Sequence, residues 1–117
     1  MLFLIIIKLT YKVNFIWRNL LHIDYKNKSI EKICTNASYA IKKHGLQMAE
    51  KIQLRIKQIK ASDSVELMVQ YKIGRCHPLH GNRENQYALD LIHPYRLVFE
   101  KNGSDIQVLV IEIIDYH

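Results

Sequence analysis

Between Gly74 and Phe99 the chain reads GRCHPLHGNRENQYALDLIHPYRLVF, and both of its prolines lie in that stretch. A proline fixes its own φ and drives the preceding residue toward extended backbone, so His77 before Pro78 and His93 before Pro94 are held out of helix. Their imidazoles are therefore expected on loops or strand ends, where a rigid scaffold displays functional side chains. His80, Arg75, Arg83 and Arg96 add to the density of polar chemistry here. Gly81 to Asn85 has the composition of a turn. Tyr87 to Ile92 and Tyr95 to Phe99 are rich in β-branched and aromatic residues and predict adjacent strands. The segment reads as a basic loop feeding an antiparallel hairpin.

At 117 residues the chain has the length of one domain with a real core. Its 49% apolar and 24% charged content excludes disorder and fibrous repeats. Cys34 and Cys76 are too few for a disulfide framework and fit a reduced, cytoplasmic setting. Of the net charge of +6, half comes from Lys8, Lys12 and Arg18 in a stretch without acids. The remainder of the chain is only mildly basic, compatible with a phosphate-bearing partner without requiring one.

Residues 1–20 form the odd piece. Leu2 to Ile7 is apolar, but Lys8, Lys12, Asn14 and Arg18 interrupt the next dozen positions, and the run falls short of the ~20 apolar residues of a spanning helix. A signal peptide would carry its positive charge before the apolar run, and this one does not. An extra strand, a weak membrane-surface anchor and a stretch upstream of the true start are the alternatives. The favoured expectation is a dispensable apolar extension, with the domain proper at 21–117 and no membrane partner.

Leu21 to Asn27 alternates like a half-buried strand. Ser29 predicts a helix from about Ile30, and Asn36 caps a second one over Ala37 to Lys43 that Gly45 ends. Leu46 to Lys60 is the clearest helix: Met48, Ile52, Ile56 and Ile59 form an apolar stripe, with Glu50, Lys51, Gln53, Arg55, Lys57 and Lys60 expected to face water. Ser64 to Tyr71 predicts a short helix. Asn102 and Gly103 predict a tight reversal into a strand at Gln107 to Ile114, whose run of Val, Leu and Ile suggests burial on both faces.

With the pleat of that strand maintained, Asp115 and His117 point to one face and Tyr116 to the other. Arg96 alternates with Tyr95 and Leu97, so it is expected to leave the core. His77, His117, Arg96 and a nearby tyrosine are the groups that metal-free RNA scission needs: a base for the 2′-hydroxyl, an acid for the leaving 5′-oxygen and a guanidinium for the phosphate. A competing reading makes Cys76, His77 and His80 three ligands of a metal ion, with a fourth missing. Cys34 reads as a small buried apolar residue.

The Gly74 to Phe99 string, the terminal I-E-I-I-D-Y-H and the opening Asp24, Tyr25, Lys26, Asn27, Lys28 with Glu31 to Cys34 together resemble the HigB-like killer proteins. These are toxins of type II toxin-antitoxin modules in the RelE/ParE superfamily, and the resemblance spans roughly Leu21 to His117. It implies an α+β fold of two N-terminal helices on a curved antiparallel sheet, and an mRNA endonuclease acting in the ribosomal decoding site without metal or small-molecule cofactor. The implied partners are a HigA-like helix-turn-helix antitoxin, the ribosome and mRNA. Carried over by position, His77, Arg96, Asp115, Tyr116 and His117 are catalytic; Arg75, His80, Arg83 and Tyr87 are the residues expected to bind RNA. The chain departs from the family's H-P-L-K-G pattern at His80, where a permanent cation becomes a titratable imidazole. It departs again at Pro94, where some members have Asn. Two other functions fit the same resemblance: a ParE-like DNA gyrase poison, and an inactive homologue that only binds antitoxin or RNA.

Overall fold

A computed structural model describes residues 21–102 and 107–115. The expectations for residues 1–20, for Gly103 in the expected reversal, and for Tyr116 and His117 lie outside the described residues. In chain order the elements are β1 (His22–Tyr25), α1 (Lys28–Thr35), α2 (Ala37–His44), α3 (Leu46–Lys60), α4 (Val65–Gln70), a 3₁₀ turn (Ile73–Arg75), β2 (His77–Pro78), β3 (Gln86–Asp90), β4 (Tyr95–Lys101) and β5 (Gln107–Asp115). The fold is α+β, as the sequence predicts.

Local chemistry sets each helix boundary. α1 begins two residues before the predicted start, because Asn27 rather than Ser29 is the cap: its Oδ1 accepts from the Ile30 N–H at 2.9 Å. Asn is as strong a cap as Ser, and its earlier position extends the helix and sets Glu31 in the first turn, at the positive end. Asn36 serves two helices. Its N–H donates to the Lys32 carbonyl at the end of α1, and its side chain accepts from the Tyr39 N–H at 3.0 Å to start α2. Gly45, at φ 86°, ends α2 and leads into α3, a left-handed turn that favours glycine. Ser64 caps α4 by accepting from the Leu67 N–H.

The five strands lie in the order β1-β5-β4-β3-β2. β1 pairs parallel with β5, and every other pairing is antiparallel. Between β4 and β5 the register steps from Val98↔Glu112 to Phe99↔Val110, so Ile111 is an extra residue in β5 and the sheet bends there. The helices cover one face: Met48, Ala49, Ile52, Ile56 and Ile59 of α3 share a core with Leu89, Leu97, Phe99, Val108 and Val110. β5 occupies the sheet interior, as expected, but not with both faces buried. Only Val108 and Val110 are fully covered; Ile113 packs at the edge of the helix-side core, and Leu109, Ile111 and Ile114 remain partly exposed, since no helix among the described residues covers the second face.

Candidate functional site

The pleat decides which polar residues meet. His77 pairs with Ala88, which pairs with Val98, which pairs with Glu112; two residues along β3, Asp90 pairs with Arg96, which pairs with Ile114. These two rungs project to the same side, opposite the face that Leu89 and Leu97 bury against the helices. His77 and Arg96 therefore share the open face of the sheet, and Asp90 sits beside Arg96 on it.

Arg75 joins them from the 3₁₀ turn. Its Nε lies 2.8 Å from Asp90 Oδ2, and Arg96 Nε lies 3.6 Å from Asp90 Oδ1, so one carboxylate stands between two guanidiniums. These three residues line a groove of about 180 Å³ with Leu91, His93, Pro94 and Tyr95. The His93–Pro94 peptide is cis, and His93 is exposed at the groove's edge. On the other side of Arg75 a wider depression of about 510 Å³ is lined by Val69, Lys72, Cys76 and His77.

The His77 ring has a defined proton arrangement. Nδ1 lies 2.8 Å from the Arg75 carbonyl oxygen, which only accepts, so Nδ1 is the protonated nitrogen in that contact. In the neutral ring Nε2 then holds the lone pair, the arrangement a general base requires. The contact also ties the imidazole to the turn that carries Arg75.

A cation expected in water belongs to the same arrangement. Arg55 of α3 is half-buried: its Nε donates to the Asp90 carbonyl at 2.7 Å and its Nη1 to Gln58 Oε1 at 2.9 Å. Burial lowers the pKa of the guanidinium, and the nearby Asp90 carboxylate works against that. Gly74, at φ +55°, lies directly on it. A Cβ there would stand 2.8 Å from Arg55 Nε, so the turn approaches the helix this closely only with glycine.

The other expected site residues divide. Arg83 lies on the open face and pairs with Glu112 at 2.6 Å. His80 is exposed next to Gly81 in the loop before β3. Asp115, exposed at the end of β5, pairs in register with Tyr95, so it stands one rung position away from Arg96 and on the alternate face. Tyr87 does not belong to the polar surface: it pairs with Phe99, and their rings stack at 5.6 Å on the helix side. Its parity in β3 matches Leu89, and that places it against the core. The metal reading of Cys76, His77 and His80 also fails. Cys76 is 3% exposed and part of the core, burial pushes its thiol up to about 12, and among the described residues no group of three metal-ligating side chains forms. Cys34 is buried in the core, as expected. Sequence reasoning missed Asp90 and Arg55. Asp90 was visible as an acid alternating with Leu89 and Leu91, but the cross-strand register was needed to set it beside Arg96.

No family model and no curated protein sequence matches the chain. Solved structures do. A YoeB/ParE toxin from Agrobacterium tumefaciens is 16% identical and superimposes with a TM-score of 0.59, covering 83% of this chain and 100% of its own. The YoeB toxin of Staphylococcus aureus, solved as a YoeB-YefM complex and as a YoeB dimer, is 22% identical with a TM-score of 0.56, covering 83% of this chain and 97% of its own. The α+β fold of this chain is that of these solved YoeB/ParE and YoeB toxins.

Proposed function

We propose that the chain is the toxin of a type II toxin-antitoxin module and that it cleaves mRNA on the ribosome, in the manner of the HigB-like proteins it resembles in sequence. The observation that carries this reading is His77, with Nδ1 held by the Arg75 carbonyl, on the same open sheet face as Arg96 and the Arg75–Asp90 pair. The chemistry needs no cofactor. Nε2 of His77 takes the proton of a 2′-hydroxyl, the freed oxygen attacks the adjacent phosphorus, and the bond to the 5′-oxygen breaks to leave a 2′,3′-cyclic phosphate. Arg96 and Arg75 neutralise the charge gathering on the phosphoryl oxygens. The leaving 5′-oxygen takes its proton from Tyr116 or His117, the terminal residues that the sequence resemblance makes catalytic.

Arg83 and His80 extend the polar loop along which RNA would run. The partner that silences the toxin is a HigA-like antitoxin, and the setting is cytoplasmic; no helix among the described residues is long and apolar enough to cross a membrane. A gyrase-poisoning role of the ParE kind is the second reading, since the Agrobacterium neighbour is a YoeB/ParE toxin. The two separate by mutation. Under the nuclease reading, Arg96→Ala lowers cleavage by ~10²–10³-fold, the cost of removing one transition-state donor, and abolishes growth arrest on induction. Under the gyrase reading, toxicity survives Arg96→Ala and His77→Ala, and gyrase co-purifies.

A further inference from the structure

We propose that Asp90 is a positioning residue that fixes the spacing of the two guanidiniums for a backbone phosphate, and that Arg55 fixes Asp90; the proposal rests on the nuclease reading. Asp90 contacts both guanidiniums through their Nε atoms, at 2.8 Å to Arg75 and 3.6 Å to Arg96. A guanidinium has five donors, so a contact at Nε leaves the terminal Nη groups of Arg75 for a ligand in the groove. Without the carboxylate the two cations would repel across that groove. With it they lie on opposite sides of a shared anion.

Arg75, Arg96 and the half-buried Arg55 beneath them outnumber the one carboxylate of Asp90, so the groove stays positive and suits a backbone phosphate.

Asp90 itself is fixed from below. Its Oδ1 is buried and receives no hydrogen bond, so the side chain is held by the ion pairs, while its backbone carbonyl accepts from Arg55 Nε at 2.7 Å. Gln58 holds the far end of the Arg55 guanidinium, and Gly74 lies against its near side. One half-buried cation on α3 thus sets both the end of β3 that carries Asp90 and the turn that carries Arg75.

Single-turnover cleavage on programmed ribosomes tests the proposal, with wild type, Asp90→Asn, Asp90→Glu, Arg55→Lys and Arg96→Ala. In parallel, the arginine Nε–Hε resonances of the free chain are followed by NMR. Asp90→Asn removes the charge and keeps the shape. It is expected to lower the cleavage rate at saturation about 10–100-fold through lost aim, while KM stays level or falls because the groove gains a positive charge. The Arg75 and Arg96 Nε–Hε signals should move to the exposed-arginine position. Asp90→Glu should restore their dispersion in part, and Arg55→Lys should lower the rate without shifting KM. An unchanged rate for Asp90→Asn, or equal losses in rate and affinity with a lowered melting temperature, overturns the positioning role. If Arg96→Ala cleaves like wild type, the nuclease reading fails; the positioning claim is then decided by NMR alone, and unmoved Nε–Hε signals in Asp90→Asn refute it.

Discussion

Gly74→Ala is the substitution that most directly probes how the helix layer is tied to the site. Alanine at φ +55° costs about 1 kcal/mol in backbone strain alone. Its Cβ would also stand 2.8 Å from Arg55 Nε, inside any real contact, so the guanidinium must swing away and its hydrogen bond to the Asp90 carbonyl is lost. A hydrogen bond from a charged donor contributes about 1.5–3 kcal/mol, so the total loss is about 3 kcal/mol. The double-mutant cycle separates the two parts. In an Arg55→Ala background the clash and the hydrogen bond are already gone, and Gly74→Ala should cost only about 1 kcal/mol. Urea denaturation of the four proteins then gives a coupling of about 2 kcal/mol. Additivity to within about 0.5 kcal/mol would show that the turn does not rest on Arg55, and the derived positioning of Arg75 would fall with it.

The same geometry sets other outcomes. Asn36→Ala removes the cap of α2, and its equilibrium denaturation should show a loss of about 1 kcal/mol, with a matching rise in amide exchange at Tyr39. Burial holds Cys34, Cys76 and Tyr25 protonated, with pKa values pushed up to about 12 from ordinary values of 9.0 for the thiols and 10.0 for the phenol. A raised folded-state value means that the stabilisation is fully present below the unfolded pKa and is lost as pH climbs toward the folded one. Urea midpoints should therefore stay flat to about pH 8.5 and fall above about pH 9, and Cys76→Ala should reduce that slope. Tyr87→Phe keeps the stack on Phe99 and should leave RNA cleavage unchanged, whereas a role in base stacking on the open face would make it matter.

Much of the helical layer was legible because its signals are local. α3 runs from Leu46 to Lys60 as predicted, since an apolar residue recurs at each turn and Gly45 stands immediately before it. Asn36 was readable for the same reason. Asn27 was not, because Asn27 and Ser29 are equally good caps and stand only two residues apart. The site was legible in its histidines and arginines but not in what orders them. Asp90 meets Arg96 through strand register, and Arg55 meets Asp90 through a contact thirty-five residues away in sequence. Neither leaves a periodic trace. Arg55 alternates with the apolar stripe like any solvated cation, and the glycine turn that folds over it is what withdraws it from water. Tyr87 was misplaced although its parity was available: it alternates with Ala88 and falls in phase with Leu89, which marks the core face.

The central claim is that His77 and Arg96 act together on one RNA phosphate. Transcript 5′-end mapping after a brief induction, in wild type and in His77→Ala, tests it most directly. If the claim holds, new 5′-hydroxyl ends appear in phase with the reading frame in wild type and disappear in the variant. Intact transcripts alongside full growth arrest, or the same ends in both strains, would contradict it.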